Sequence, residues 1–174
     1  SADNLIEDNL RNKDNFIARV TGVVFEDQEN HSVIHIGANY DNRSSNGPED
    51  YRLSLRPENH TGEKVVVDFT EGGGVAGRNT LGFEAAACYN SLSIQGEFQQ
   101  IAIVSTEKSF KVHGYYASVS YFLTGEHRPY KKGSFGRVSP KKSIDKGGAG
   151  ALEILARYSE LNSSDAPTTF DGLE

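Results

Sequence analysis

Methionine and tryptophan are missing from this chain of 174 residues, and cysteine occurs once, at position 88. A single thiol forms no intrachain disulfide and builds no cysteine-based zinc cluster, which leaves the redox compartment open. No apolar run reaches the roughly 18 residues that a membrane-crossing helix needs, and no charged-then-apolar leader opens the chain. The lack of methionine even at position 1 is expected of a processed chain or of a piece of a longer protein. Positive charge is scarce, with 18 basic against 24 acidic residues and a formal charge of -6, so nucleic acid is not expected as a partner of the whole surface. Helical periodicity is scarce too, with only residues 1–15 and 149–161 offering it.

What is present favours sheet: 18 glycines, 8 tyrosines and 9 phenylalanines in a chain that is 36% hydrophobic, enough for one sizeable core. Period-two alternation predicts about eight strands, at 16–26, 32–40, 50–57, 64–69, 79–89, 91–103, 108–123 and 149–161. In "YRLSLR" Tyr51, Leu53 and Leu55 share one face and Arg52, Ser54 and Arg56 the other. In "TLGFEAAACY" and "SLSIQGEF", a hairpin about Asn90-Ser91, apolar Leu81, Phe83, Ala85, Leu92, Ile94 and Phe98 oppose a polar set. A soluble barrel or sandwich turns the apolar face inward, whereas an outer-membrane barrel turns it to lipid. Alternation alone fits both.

The glycine spacing Gly72-x-Gly74-x-x-Gly77 after "KVVVDF" has the form of a dinucleotide-binding loop, with "RNTLGFEAAAC" as its helix and Glu97 as its ribose acid. Against that reading, Glu71 would face the pyrophosphate, and period two describes residues 80–89 better than 3.6 does. His31, His35, His60, His113 and His127 are too scattered to predict a metal site. Glu84 and Glu97 would face each other across the hairpin, as glycosidase acids do, but in a sheet such neighbours are common. Residues 127–148 gather Arg128, Lys131, Lys132, Arg137, Lys141, Lys142 and Lys146 against Asp145 alone, either an anion-attracting loop or a solvated one.

"SYFLTGEHRPYKKGSFGRVSP", followed by "KGGAGALEILARYSELN", resembles the phosphate-selective porin O and P family. The order of elements is shared: a strand ending Leu-Thr-Gly-Glu, then Arg-x-Tyr, a basic loop with Phe and Pro, Gly-x-Gly-Ala, a Glu, and Ala-Arg-Tyr-Ser. Upstream, "HIGANYDNR", "YRLSLRPENH" and "LGFEAAACYNSLSIQGEF" stand where that family has its middle strands, so the likeness covers most of 16–161. The chain departs from the pattern at Ala151-Leu152, where an aromatic is usual, and in being far shorter than a whole barrel.

The resemblance implies an all-β fold: an antiparallel meander β-barrel of outer-membrane-porin type, here a partial barrel of about eight strands. Residues 1–174 form a single segment, with 1–15 and 162–174 as terminal segments around 16–161. It implies a passive diffusion channel, not an enzyme, without cofactor or metal, that passes phosphate or other small anions in the bacterial outer membrane as a lipid-bound homotrimer. Arg19, His35, Arg52, Arg56 and Arg157 would face the lumen, opposed by Asp68, Glu84, Glu97 and Glu153, and "TEGGGVAGRN" would be a loop between barrel strands. The basic loop, Arg128 to Lys146, would funnel anions; strand parity puts it at the same end as the tight Asn90-Ser91 turn, unusual for a long loop. The alternative is a soluble β-barrel or β-sandwich module that binds an anionic ligand through residues 127–146.

Overall fold

The computed structural model describes residues 6–8, 12–49, 52–55, 65–68, 75–105, 109–131, 134–163 and 168–170. Within them the strands are β1 (Ile6–Asp8), β2 (Asn12–Asp27), β3 (Ser32–Glu49), β4 (Arg52–Leu55), β5 (Val65–Asp68), β6 (Val75–Tyr89), β7 (Leu92–Ser105), β8 (Phe110–Phe122), β9 (Tyr130–Lys131), β10 (Ser134–Phe135), β11 (Glu153–Asn162) and β12 (Thr168–Phe170). A 3-10 turn, Ile144–Lys146, interrupts the segment before β11. Six strands make an open antiparallel meander in the order β2, β3, β6, β7, β8, β11, the wall of the molecule. The predicted strands at 50–57 and 64–69 correspond to β4 and β5, which pair with each other and sit between β1 and β12 in a separate sheet of four. Of residues 149–161, which also had a helical reading, 153–161 are strand.

Local chemistry fixes the turns. Asp27 ends β2 and its carboxylate accepts the amides of Glu29 at 3.0 Å and Asn30 at 3.2 Å, the side-chain mimicry that aspartate gives a turn. His31 closes that turn at φ 45° and Asn90 forms the next at φ 49°, in the left-handed region that asparagine tolerates better than most residues. A bulge between Val23 and Phe25 shifts the parity of β2, so Phe25 pairs with Ile34 while Val23 pairs with His35.

The two faces of the wall differ, though buried Val33, Ile101, Ile103 and Val112 share the inner face with its polar residues. One carries Phe16, Val20, Ile36, Phe83, Ile94, Val119, Tyr121, Ile154 and Tyr158, all exposed, Val20 at 77%. The other carries buried His35, Arg78, Thr80, Ser93, Ser118 and Ser120. The alternation therefore has a direction: much of the apolar surface is outside.

The apolar face has a slanted upper limit. Along each strand the last large apolar residue before the face first turns polar is Phe16, Tyr40, Leu81, Phe98, Tyr115 and Tyr158 in spatial order; the polar positions after the last five are Asn42, Asn79, Gln100, His113 and Glu160, and on β7 an exposed Val104 follows further on. Register places Phe16 level with Asn79 (through Asn42), and Tyr158 level with Ala85 (through Ala117 and Gly96). The limit thus climbs six residues over five strand steps. With a rise of about 3.3 Å per residue and a spacing of about 4.8 Å, that slope is about 40°, within the tilt range of barrel strands.

Candidate functional site

Between the glycine-rich stretch and β6 there is no phosphate cradle in the described residues. Gly77 lies within the strand, not in a loop, and a Cβ there would come 2.8 Å from the Arg43 carbonyl oxygen, so its role is close approach of two backbones. Gly72 and Gly74 lie outside the described residues.

The inner face carries charge in three groups. Near the β3–β6 connection, Asp41 accepts from Arg43 Nε at 3.0 Å and from Arg78 Nη2 at 3.1 Å. In the middle, Arg19 Nη2 donates to both Glu84 oxygens at 2.8 Å, and His35 Nε2 lies 3.0 Å from Glu84 Oε1. Gly37 stands opposite Glu84 on β3, and an added Cβ would meet Glu84 Oε1 at 2.6 Å. The bare backbone at 37 is the corridor by which a β6 carboxylate reaches across β3 to an arginine on β2. The Arg19 side chain is 60% exposed, so the pair adds only about 0–1 kcal/mol to stability. Its effect is to fix where charge sits.

The third group is on the far strands. The Tyr116 hydroxyl donates to Glu97 Oε1 at 2.8 Å, and Arg157 Cζ stacks 3.6 Å from the Tyr116 ring centroid. Glu84 and Glu97 do face each other in register, as the hairpin predicts. Each is engaged elsewhere, and a recess of about 280 Å³ lies against Phe25, Ile34, Ala87, Tyr89, Leu92 and Ile94 of the outer face.

Residues 123–152, which join β8 to β11, emerge beside the Asn90-Ser91 turn, since Phe122 N donates to Ser91 O at 3.1 Å. This segment folds onto the inner face. Tyr130 packs 5.5 Å from the His35 ring, His127 stacks on His31, and Arg128 pairs with Glu153 and lies 5.5 Å from the Phe122 centroid. Beneath it the wall is built from small residues, Cys88, Ser93, Ser118 and Ser120, all buried, which leaves depth for the loop. Its neck is a clamp: the Thr124 hydroxyl bonds Glu126 and accepts Leu152 N at 2.9 Å, and Glu126 Oε1 accepts Lys141 N at 3.0 Å. Those donors, Thr124 first, hold the Glu126 carboxyl below the usual carboxylate range. Burial, then the neighbouring His31 and Lys141, pushes the His127 imidazole down.

The predicted site residues thus divide. Arg19, His35 and Arg157 stand on the inner face. Arg52 stands in β4, opposite Asp68 and outside the wall, and Arg56 and Lys132 lie outside the described residues. Of the basic loop, Arg137, Lys141, Lys142 and Lys146 are exposed, Arg128 is engaged as described, and Lys131 lies in β9. Sequence reasoning missed Asp41, Arg43 and Arg78. Extending the His35 parity past residue 40 would have found the first two, and starting β6 at Val75 the third. Among the described residues no group of three or more His, Cys, Asp or Glu side chains could hold a metal ion, and no helix is long and apolar enough to cross a membrane, which says nothing of a β-barrel.

Against known proteins, the family Phosphate-selective porin O and P matches residues 26–171. Porin O of Pseudomonas aeruginosa is 29% identical over 171 residues, which covers 83% of this chain and 37% of that protein. An uncharacterized protein of Caulobacter vibrioides is 40% identical over 68 residues, 39% of this chain and 14% of that protein. The chain therefore spans less than two fifths of the length of either relative. No solved structure matches it.

Proposed function

Because the chain belongs to the phosphate-selective porin O and P family, we propose that its six-stranded sheet is a length of wall in an outer-membrane diffusion channel that passes small anions of the phosphate class. The observation that carries this reading is the exposed apolar face with its slanted polar limit. In this reading lipid covers the outer face, and the complete protein assembles as a homotrimer. A soluble module binding an anion through residues 127–146 would bury those apolar side chains, and here they stand outward while serines, His35 and Arg78 are covered.

Along the inner face an anion meets guanidinium groups at successive levels, Arg43 backed by the covered Arg78, then Arg19, then Arg157. Each replaces part of its hydration, and each is held by a carboxylate or a ring so that binding stays reversible. The inward loop narrows the passage at the tight-turn end, the periplasmic side in such barrels. Its exposed Arg137, Lys142 and Lys146 raise the local anion concentration at that mouth. Arg52 belongs to the four-stranded sheet near the other end of the wall and would meet anions only there. Nothing in this passive pathway calls for a catalytic group.

The test is conductance of the complete pore-forming protein in planar bilayers. Expected are discrete steps, a reversal potential under a KCl gradient displaced toward that of chloride, and inhibition of chloride current by added phosphate. A protein that stays monodisperse without detergent and gives no steps would overturn the channel. Steps without anion preference would overturn the anion assignment.

A further inference from the structure

We infer that Glu84 is a fixed counter-charge that sets how strongly the channel prefers anions. The inference rests on the channel reading and names a specificity-determining residue within it. Three features point there. Glu84 touches Arg19 from β2 and His35 from β3 at once, at 2.8 and 3.0 Å, so the covered imidazole helps fix its carboxylate beside the exposed guanidinium that an anion would meet. The backbone is shaped for that reach, because Gly37 leaves open the path its side chain takes. The inward loop lies beside it, with Tyr130 on the ring of His35, which places the group where the passage is narrowed.

In a narrowed passage one unit charge matters. At about 7 Å of water it changes the local concentration of a monovalent ion about threefold. An acid opposite Arg19 weakens the hold on an anion and shortens its stay, which is what a site must do if the anion is to leave.

The experiment is the reversal potential of the complete protein under a KCl gradient, for wild type and four variants. Glu84→Gln should raise the chloride-to-potassium permeability ratio by up to about sevenfold, a nearly threefold gain for chloride times a nearly threefold loss for potassium, and the rise should shrink between 0.1 and 1 M salt as the Debye length falls from about 10 to about 3 Å. Glu84→Asp keeps the charge and should stay close to wild type. The double variant Arg19→Gln with Glu84→Gln restores the net charge of this level and should return the ratio toward wild type, which a merely structural role would not do. Gly37→Ala keeps every charge but displaces the carboxylate, and should alter the ratio in the direction of Glu84→Gln. A conducting wild type with an unchanged Glu84→Gln ratio would overturn the counter-charge and leave the channel standing. A wild type that does not conduct would overturn the channel itself.

Discussion

His127 stacks face to face on His31, with ring centroids 3.7 Å apart and planes within 5°. This contact ties the inward loop to the β2–β3 turn, and burial holds the His127 imidazole below its ordinary value of 6.5. A histidine whose docked pKa is lowered binds its proton more readily when released. Docking is therefore favoured above about pH 6.5 and weakens as pH falls through the docked value. Hydrogen exchange of residues 125–136, corrected for intrinsic rates, should accelerate between pH 7.5 and 5.5 while the β6–β7 amides do not change. His127→Gln should flatten that dependence.

Gly77 and Gly22 make a matched pair for backbone approach. A methyl at 77 would press on the Arg43 carbonyl at 2.8 Å, and β3 must shift to accept it, whereas nothing lies within 4 Å of a methyl at 22. Gly77→Ala should destabilise by about 1–3 kcal/mol, and Gly22→Ala by less than about 0.5 kcal/mol. Denaturant unfolding in micelles distinguishes them.

Alternation along β6 should be readable by solvent contrast. In a Cys88→Ala background, spin labels at 81, 83 and 85 should be relaxed by oxygen dissolved in hydrocarbon. Labels at 82, 84 and 86 should respond to an aqueous nickel chelate instead. The reverse pattern would remove the lipid-facing assignment.

The neck of the loop should depend on Glu126. Its carboxylate accepts the Lys141 amide and bonds Thr124, so Glu126→Ala loses both. Expected are faster exchange and easier proteolysis within 127–142 with an unchanged far-ultraviolet spectrum. Because Glu126 is held below the usual carboxylate range, wild type should lose this protection only at more acid pH than an ordinary glutamate would.

The long strands were legible in the sequence because Leu81, Phe83 and Ala85, or Leu92, Ile94 and Phe98, repeat at the pleat period. Legibility stopped where both faces turned polar. From Asp41 to Glu49 no alternation marks β3, so the strand was read to residue 40 and its charged groups were lost with it. The bulge at Val23–Phe25 likewise hides in "VVF", since three apolar residues in a row carry no parity. The inward path of residues 123–152 could not be read at all. Their basic composition reads as solvated loop, while the serine floor that receives them comes from β7 and β8, remote in sequence and joined to the loop only through register.

The slanted limit of the apolar face also sets a thickness. Eight residues separate Leu81 from Tyr89 on β6, about 26 Å of strand, which a tilt of about 40° reduces to about 20 Å along the normal. Ordinary bilayers have about 30 Å of hydrocarbon, and a belt this short would force them to thin around it at a cost for every ångström of hydrophobic mismatch. The bacterial outer membrane is the thinner one. A belt of this height meets less hydrophobic mismatch in that thinner membrane than in an ordinary bilayer.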